Sequence, residues 1–254
     1  LILLTSSFAF SIILFLGFGI GVDFMKHAIT TLRPYTPDVS IVSSDNTCSI
    51  PDSLYMQLQE EANIKRIFGR SFAYDLTADL QGEQKTVMLV SYETFQFDWA
   101  QSDLQQGNME SARKGEGILL AAKPGFAAET GSEIELETDR GTQKVKVVGI
   151  LNYVPFDAGE NVGTLICSEK LFRELTGETG YTILDIQLQD RSDDVVEAIC
   201  SVAGEAYKFS DSRASNRETR TVYFSFALFV YGFLAVVALI ASFHIINSIG
   251  MSVS

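Results

Sequence analysis

The stretch that most constrains this chain is Val222 to Ile246, which carries no acid, Lys or Arg and interrupts its apolar residues only with Tyr, Ser, Gly and one His. At ~1.5 Å rise per residue, a helix of this length crosses a bilayer. Its first half is aromatic (Tyr223, Phe224, Phe226, Phe229, Tyr231, Phe233), as befits a headgroup interface. Its second half is aliphatic and small, and it leaves the apolar zone through Asn247-Ser248-Ile249-Gly250-Met251.

A second uncharged run, Leu1 to Val22, occupies the other end. It is too long for a cleaved signal peptide and lacks the basic start and small-residue cleavage pattern of one. Gly17 and Gly21 stand four apart in it, with Gly19 between; small residues at that spacing let two membrane helices approach closely. Glycine merely tolerated in a span is the alternative. Val22, Met25, Ile29 and Leu32 continue a helical pattern that Pro34 and Pro37 end, so this span should project as a stalk. Asp211 to Arg220, polar and free of Gly and Pro, is the matching stalk of the second span.

All the charge, 19 basic and 32 acidic residues, lies between Asp23 and Arg220. A polar segment of that size can enclose a real core. Its net charge of −13 argues against a nucleic-acid partner. The expected layout is a first span and stalk over 1–33, a domain over 34–210, and a stalk and second span over 211–254. The basic flanks do not decide on which side of the membrane the domain lies. The missing initial Met and an end just past a span suggest a piece of a larger membrane protein.

Within the domain, Val39 to Leu80 and Ile183 to Phe209 each read as β-α-β. The first passes from a strand at Val39 through a helix begun by Pro51-Asp52 to a long strand, Ile64 to Leu80. Lys85 to Tyr92 pairs back across Gln81-Gly82. Glu93 to Lys114, with the only Trp, reads as a helix or long loop. Glu133 to Glu137 and Lys144 to Val147 alternate charged and aliphatic residues, a hairpin turning at Asp139-Arg140-Gly141 with Glu137 opposite Lys144 and Glu135 opposite Lys146. Strand Val148 to Val154 continues it. Ser168 caps a helix closed by Gly177, and Ser192 caps another. Leu184, Ile186 and Leu188 alternate with Asp185, Gln187 and Gln189, a strand buried on one face. The fold class is therefore α+β, two lobes between two transmembrane helices: one lobe from 34–92 plus 181–210, and a hairpin-rich lobe, 93–180, inserted into it.

The chemistry of enzymes is missing. No phosphate-binding Gly-x-x-x-x-Gly-Lys-Ser/Thr loop, His-Glu-x-x-His pair, paired-Cys spacing or Gly-x-Ser-x-Gly elbow occurs. The two histidines, His27 and His244, sit at span ends, which leaves no His for a triad in the domain. Cys48, Cys167 and Cys200 are scattered, and the preferred reading is that no disulfide forms. No catalytic, cofactor-binding or metal-binding residue is assigned.

The order of span, stalk, two-lobed domain, stalk and span resembles the MacB/FtsX/LolE-like permeases of bacterial ABC transporters. Ile246-Asn247-Ser248-Ile249-Gly250-Met251-Ser252-Val253-Ser254 looks like the start of that family's FtsX-type membrane domain. Gly117 to Leu151, with its Gly131-Ser132 turn, Glu-rich strand, Gly141 turn and Val147-Val148-Gly149-Ile150-Leu151, looks like the family's periplasmic core domain. Gly131-Ser132 stands where the family has Gly-Asp. The resemblance implies an extracytoplasmic domain in a multi-pass protein of the bacterial inner membrane. It also implies a partner ATPase subunit or domain, a homo- or pseudo-dimer of permease units in lipid, and no ATPase activity in this chain. Asn247, Met251 and Val253, with Gly250 allowing a change of direction, are the expected ATPase-coupling surface. A two-span sensor kinase or chemoreceptor with an extracytoplasmic ligand-binding domain shares the same layout and is the rival reading.

Overall fold

The computed structural model describes residue 12 and residues 16–21, 36–156 and 159–253. The chain divides into two compact units, Pro34–Ser212 and a helical unit of Leu1–Arg33 with Arg213–Ser254.

The domain begins with strand β1 (Val39–Val42), helix α1 (Asp52–Gln59) and strand β2 (Ile64–Arg70). It ends with strand β10 (Ile183–Leu188), helix α5 (Asp193–Ala203) and strand β11 (Lys208–Asp211). The four strands form one antiparallel sheet in the order β11-β1-β10-β2. Each β-α-β unit is split, because a strand of the other unit lies between its two strands. Leu54 and Leu58 of α1 and Val196, Ile199 and Ala203 of α5 close one face over Ile41, Ile67, Leu184 and Ile186. Ser192 precedes α5, but its N–H and hydroxyl bond the Asp190 carboxylate rather than the helix end.

Everything between β2 and β10 builds a second sheet. Its strands are β3 (Phe72–Leu80), β4 (Glu83–Tyr92), β5 (Leu104–Gly107), β6 (Ile118–Ala121), β7 (Glu133–Thr138), β8 (Gly141–Leu151) and β9 (Gly163–Ser168). Helices α2 (Thr94–Ala100), α3 (Met109–Arg113) and α4 (Glu169–Thr176) intervene. The order β5-β8-β6-β9-β4-β3-β7 returns on itself, because β7 also pairs with β8. Six strands thus close into a barrel, which leaves few bare edges. Val87, Leu89, Leu120, Leu136, Val147 and Leu165 fill it. The alternate residues Met88, Val90, Leu119 and Ile166 point outward, beneath Phe97 of α2 and Met109 of α3.

Three further expectations are corrected by the sheets. The strand expected from Ile64 to Leu80 breaks at Ser71, so 72–92 belongs to the barrel and the inserted sheet begins at Phe72, not at residue 93. Ser71 donates its N–H to Ser91 Oγ (2.8 Å) and its hydroxyl to the Gly180 carbonyl (2.8 Å), which holds the chain where it changes sheets. The second correction is the hairpin register: Glu135 faces Lys144, Glu133 faces Lys146, and Glu137 faces Thr142. The turn is the tight pair Asp139-Arg140, with Gly141 at φ 95°, and this moves the register by two residues while keeping the aliphatic face inward. Third, β8 stops at Leu151, short of the expected Val154. The Gln81-Gly82 turn has both central φ values positive (58° and 86°), the geometry that matches strand twist. Ser168 Oγ accepts the Leu171 N–H, and Gly177 closes α4 in the left-handed region, as expected.

The helical unit is dominated by α6 (Arg213–Val253), 41 residues without a break. It begins two residues after β11 ends. At ~1.5 Å per residue it is roughly 60 Å long. Phe224–Phe243 is apolar enough and long enough to cross a membrane, the one such helix among the described residues. Ala227, Val230 and Leu234 are buried on one stripe, while Leu228, Phe229, Phe243 and their neighbours are exposed. Phe18, in the helical stretch 16–21, packs on Phe233 with ring centroids 5.7 Å apart. Most of the first span and its stalk lies outside the described residues, His27 included.

Candidate functional site

The domain's least ordinary chemistry lies where the four-stranded sheet meets the barrel. Two glycines let the backbones close there. A Cβ on Gly69 would fall 2.3 Å from the Tyr181 ring, and one on Gly180 would fall 2.2 Å from the Cys48 carbonyl oxygen. Tyr181 stacks on Tyr55 of α1, centroids 5.3 Å apart at 27°.

Glu93 enters this contact from the barrel side, at the junction of β4 and α2. Its backbone N–H donates to Gln96 Oε1 (2.7 Å), and the pair forms a capping box. Its carboxylate reaches the other sheet: Gly69 N–H donates to Oε1 (2.6 Å) and the Tyr55 hydroxyl to Oε2 (3.2 Å). Glu169, the first residue of α4, lies beside the Tyr181 hydroxyl, and its Oε1 is buried without a hydrogen-bond partner among the described residues. Outside them Arg173 holds Asp52 (2.9 Å), tying α4 to α1. Burial pushes the Glu93 carboxyl up to about 7; the Gly69 N–H and Tyr55 hydroxyl oppose this, and the nearby Glu169 charge adds to it. Burial raises Glu169 as well, and it raises both tyrosine hydroxyls. Two carboxyls and two phenols therefore form a proton-sensitive clasp between the sheets.

Beside it runs a charged seam. Arg70 pairs with the buried Asp185, and Ser40 Oγ donates to Asp185 Oδ1 (2.6 Å). Arg191 Nε and the Leu188 N–H bond the two oxygens of Asp38 at 2.7 and 2.9 Å. The Arg70 guanidinium lies 5.6 Å from the Phe156 ring centroid, and Phe68 packs edge-on against Phe95 and Trp99 of α2. Arg66 covers the Phe95 and Trp99 rings at 5.0 and 5.3 Å. The face of the four-stranded sheet away from α1 and α5 is thus covered by aromatic groups of the inserted lobe.

This overturns the reading of β10 as a strand with one solvated face, because Asp185 is 1 % exposed. Neither Asp185 nor Glu93 is marked by local spacing. Asp185 sits in an ordinary alternation, and Glu93 becomes a cap only once α2 forms. Among the described residues no group of three or more His, Cys, Asp or Glu is placed to hold a metal ion. Cys48, Cys167 and Cys200 are free thiols; Cys200 is exposed, Cys167 buried.

Of the residues singled out by sequence, Gly17 and Gly21 are helical, and a Cβ on either would meet no described residue within 4 Å. Asn247, Met251 and Val253 continue α6, with their side chains outside what the structure describes. Gly250 lies inside the unbroken helix.

Neither a protein-family profile nor a curated protein sequence matches the chain. Solved structures do. The periplasmic region of MacB from Actinobacillus actinomycetemcomitans aligns with a TM-score of 0.52 at 11% identity, over 73% of this chain and 94% of that one. The extracellular domain of the noncanonic ABC-type transporter YknZ from Gram-positive bacteria aligns at 17% identity and a TM-score of 0.49, over 68% of this chain and 98% of that one. The domain has a mixed α/β fold of the MacB periplasmic type. At such identities the likeness concerns fold and not activity.

Proposed function

We propose that this chain is part of the permease of an FtsX/MacB-type ABC transporter, and that it couples ATP hydrolysis by a partner ATPase to movement of an extracytoplasmic domain. The observation that carries this reading is α6. A single helix begins two residues after the edge strand of a MacB-type domain and continues without a break through an apolar stretch of membrane length. An unbroken helix passes axial or rotational displacement along its length, which suits a chain whose domain offers no assigned catalytic group. The domain then lies outside the cytoplasm of a bacterial cell. The permease units pair in the inner membrane, where the small residues Gly17 and Gly21 offer a second helix close approach. Export, extraction of a substrate and signalling to an outer partner all fit this machinery.

The cytoplasmic contact in this reading is the helix end carrying Asn247, Met251 and Val253. In the full-length protein Met251→Asp places a charge in an apolar contact and should reduce ATPase co-purification by about tenfold or more. The thermal unfolding of residues 34–212 should not move. Wild-type association by that variant would remove this surface from the mechanism. If no ATPase co-purifies with the intact wild-type protein, the two-span receptor replaces the transporter.

A further inference from the structure

A groove opens on the domain where β3 parts from β7. β7 pairs with β3 only at Thr77 and Ala78, so among the described residues the β3 edge from Ala73 to Leu76 has no strand partner on that side. Within this free edge the register to β4 shifts, and Asp75 takes a left-handed φ of 54°. The bulge brings Phe72 and Tyr74 into a parallel stack, centroids 5.8 Å apart at 9°, with Tyr74 46% exposed.

Two cavities, of 540 and 440 Å³, flank this segment and share Asn46, Phe72, Tyr74 and Asp75. They differ in chemistry. Met88, Phe156, Val162 and Ile183 make the smaller one apolar. The larger adds Glu137, Asp139 and Glu178 to the shared Asp75. Among the described residues, no Lys or Arg lines either cavity. None of the four carboxylates forms an ion pair with a described residue, and Arg140 of the adjacent turn bonds the Glu174 carbonyl instead.

We propose that this groove binds a short free peptide in extended form, with apolar side chains alternating with Lys or Arg. The combination argues against a small anion and against a wholly apolar ligand. A small anion would meet four carboxylates, and an apolar ligand would leave the acidic compartment desolvated and unpaired. An extended peptide turns successive side chains to opposite sides, so one alternation serves the apolar compartment and the acidic one together. Its main chain can pair with the open β3 edge. The bulge at Tyr74-Asp75 limits that pairing to a few residues, in keeping with the cavity size. This inference stands on the domain alone and does not depend on the transporter reading.

The test uses the whole chain in detergent micelles and the blocked peptide acetyl-Phe-Lys-Phe-Lys-amide, titrated by calorimetry against matched empty micelles. Acetyl-Phe-Glu-Phe-Glu-amide and acetyl-Ser-Lys-Ser-Lys-amide serve as controls. The basic-aromatic peptide should bind about tenfold or more tightly than either control, and weaken as salt rises from 50 to 500 mM. Asp75→Asn combined with Glu137→Gln should weaken it about tenfold; both sites are exposed, and Asn tolerates the left-handed backbone. Tyr74→Ala should weaken it by a similar factor. Equal affinity for the acidic peptide, affinity untouched by both variants, or no heat above that of empty micelles would each overturn the proposal.

Discussion

Glu93 shows how one side chain gives this domain a response to pH. Its carboxyl accepts from Gly69 and Tyr55 across the joint, yet burial holds its pKa near 7, above the ~4.3 of an exposed Glu. The folded protein therefore binds this proton more tightly than the unfolded chain does. The stabilisation from protonation is complete below the unfolded pKa, declines as pH rises through the interval up to about 7, and is gone above it. The whole interval is worth on the order of 3 kcal/mol. Glu169 is raised for the same reason and acts in the same direction. Glu93→Gln keeps an acceptor for Gly69 and removes the charge. Thermal unfolding should then fall less between pH 5 and pH 8 than in the wild type, and the variant should melt higher at pH 8, by about 6–12 °C for a unit of this size. A variant profile parallel to the wild-type one would remove Glu93 as the titrating group. Nothing in the residues around Glu93 announces this role, because its partners Gly69 and Tyr55 are 24 and 38 positions away.

Elements were legible wherever their cause is local. Periodicity, Gly punctuation and caps place α1, α4 and β4 near their observed positions, and periodicity alone places α5 and the paired strands β7 and β8, though not their register. What escaped is set by partners distant in sequence. No signal within Ile64 to Leu80 says that its two halves pair in different sheets, since β2 pairs with β10 and β3 with β4. Closure of the barrel likewise rests on β8, whose two ends serve β7 and β6. The hairpin register was missed by two residues because cross-strand ion pairs of ~0.2–1 kcal/mol yield to turn geometry. Asp185 failed differently: its face was read as solvated, while α2 and Phe156 of the inserted lobe cover it. That burial makes the Arg70–Asp185 link between β2 and β10 costly to break from one side. Asp185→Asn should destabilise the domain by about 3–5 kcal/mol in chemical denaturation, since it removes the charge partner of a buried guanidinium. Arg70→Met together with Asp185→Leu should recover most of that loss. If the double variant is as unstable as the single one, the seam's worth lies in its hydrogen bonds to Ser40 and its ring contacts rather than in paired charge.

For the whole molecule, the proposed coupling requires α6 to act as one rigid piece. Its polar first part, Arg213 to Arg220, has no Gly or Pro, and that absence was the sequence signal for an unbroken stalk. The buried core clusters of the domain include no residue beyond Phe209, so the start of α6 can be altered without touching them. Glu218 is exposed on this part of the helix. Glu218→Pro removes a main-chain hydrogen bond and drives its ring against the preceding turn, at a cost of about 3 kcal/mol, which kinks or breaks the stalk. Glu218→Ala leaves the helix whole and is the control. In the full-length protein with its ATPase, the Pro variant should retain partner association and the domain's melting temperature. It should lose any ATP-dependent change in protease protection over residues 34–212, which the Ala variant keeps. The combination is diagnostic because a folding defect would shift the melting temperature and a docking defect would release the ATPase. Only a break in transmission silences the domain while both ends stay intact. If the Pro variant still shows the ATP-dependent protection pattern, displacement reaches the domain by another route, and α6 serves as an anchor alone.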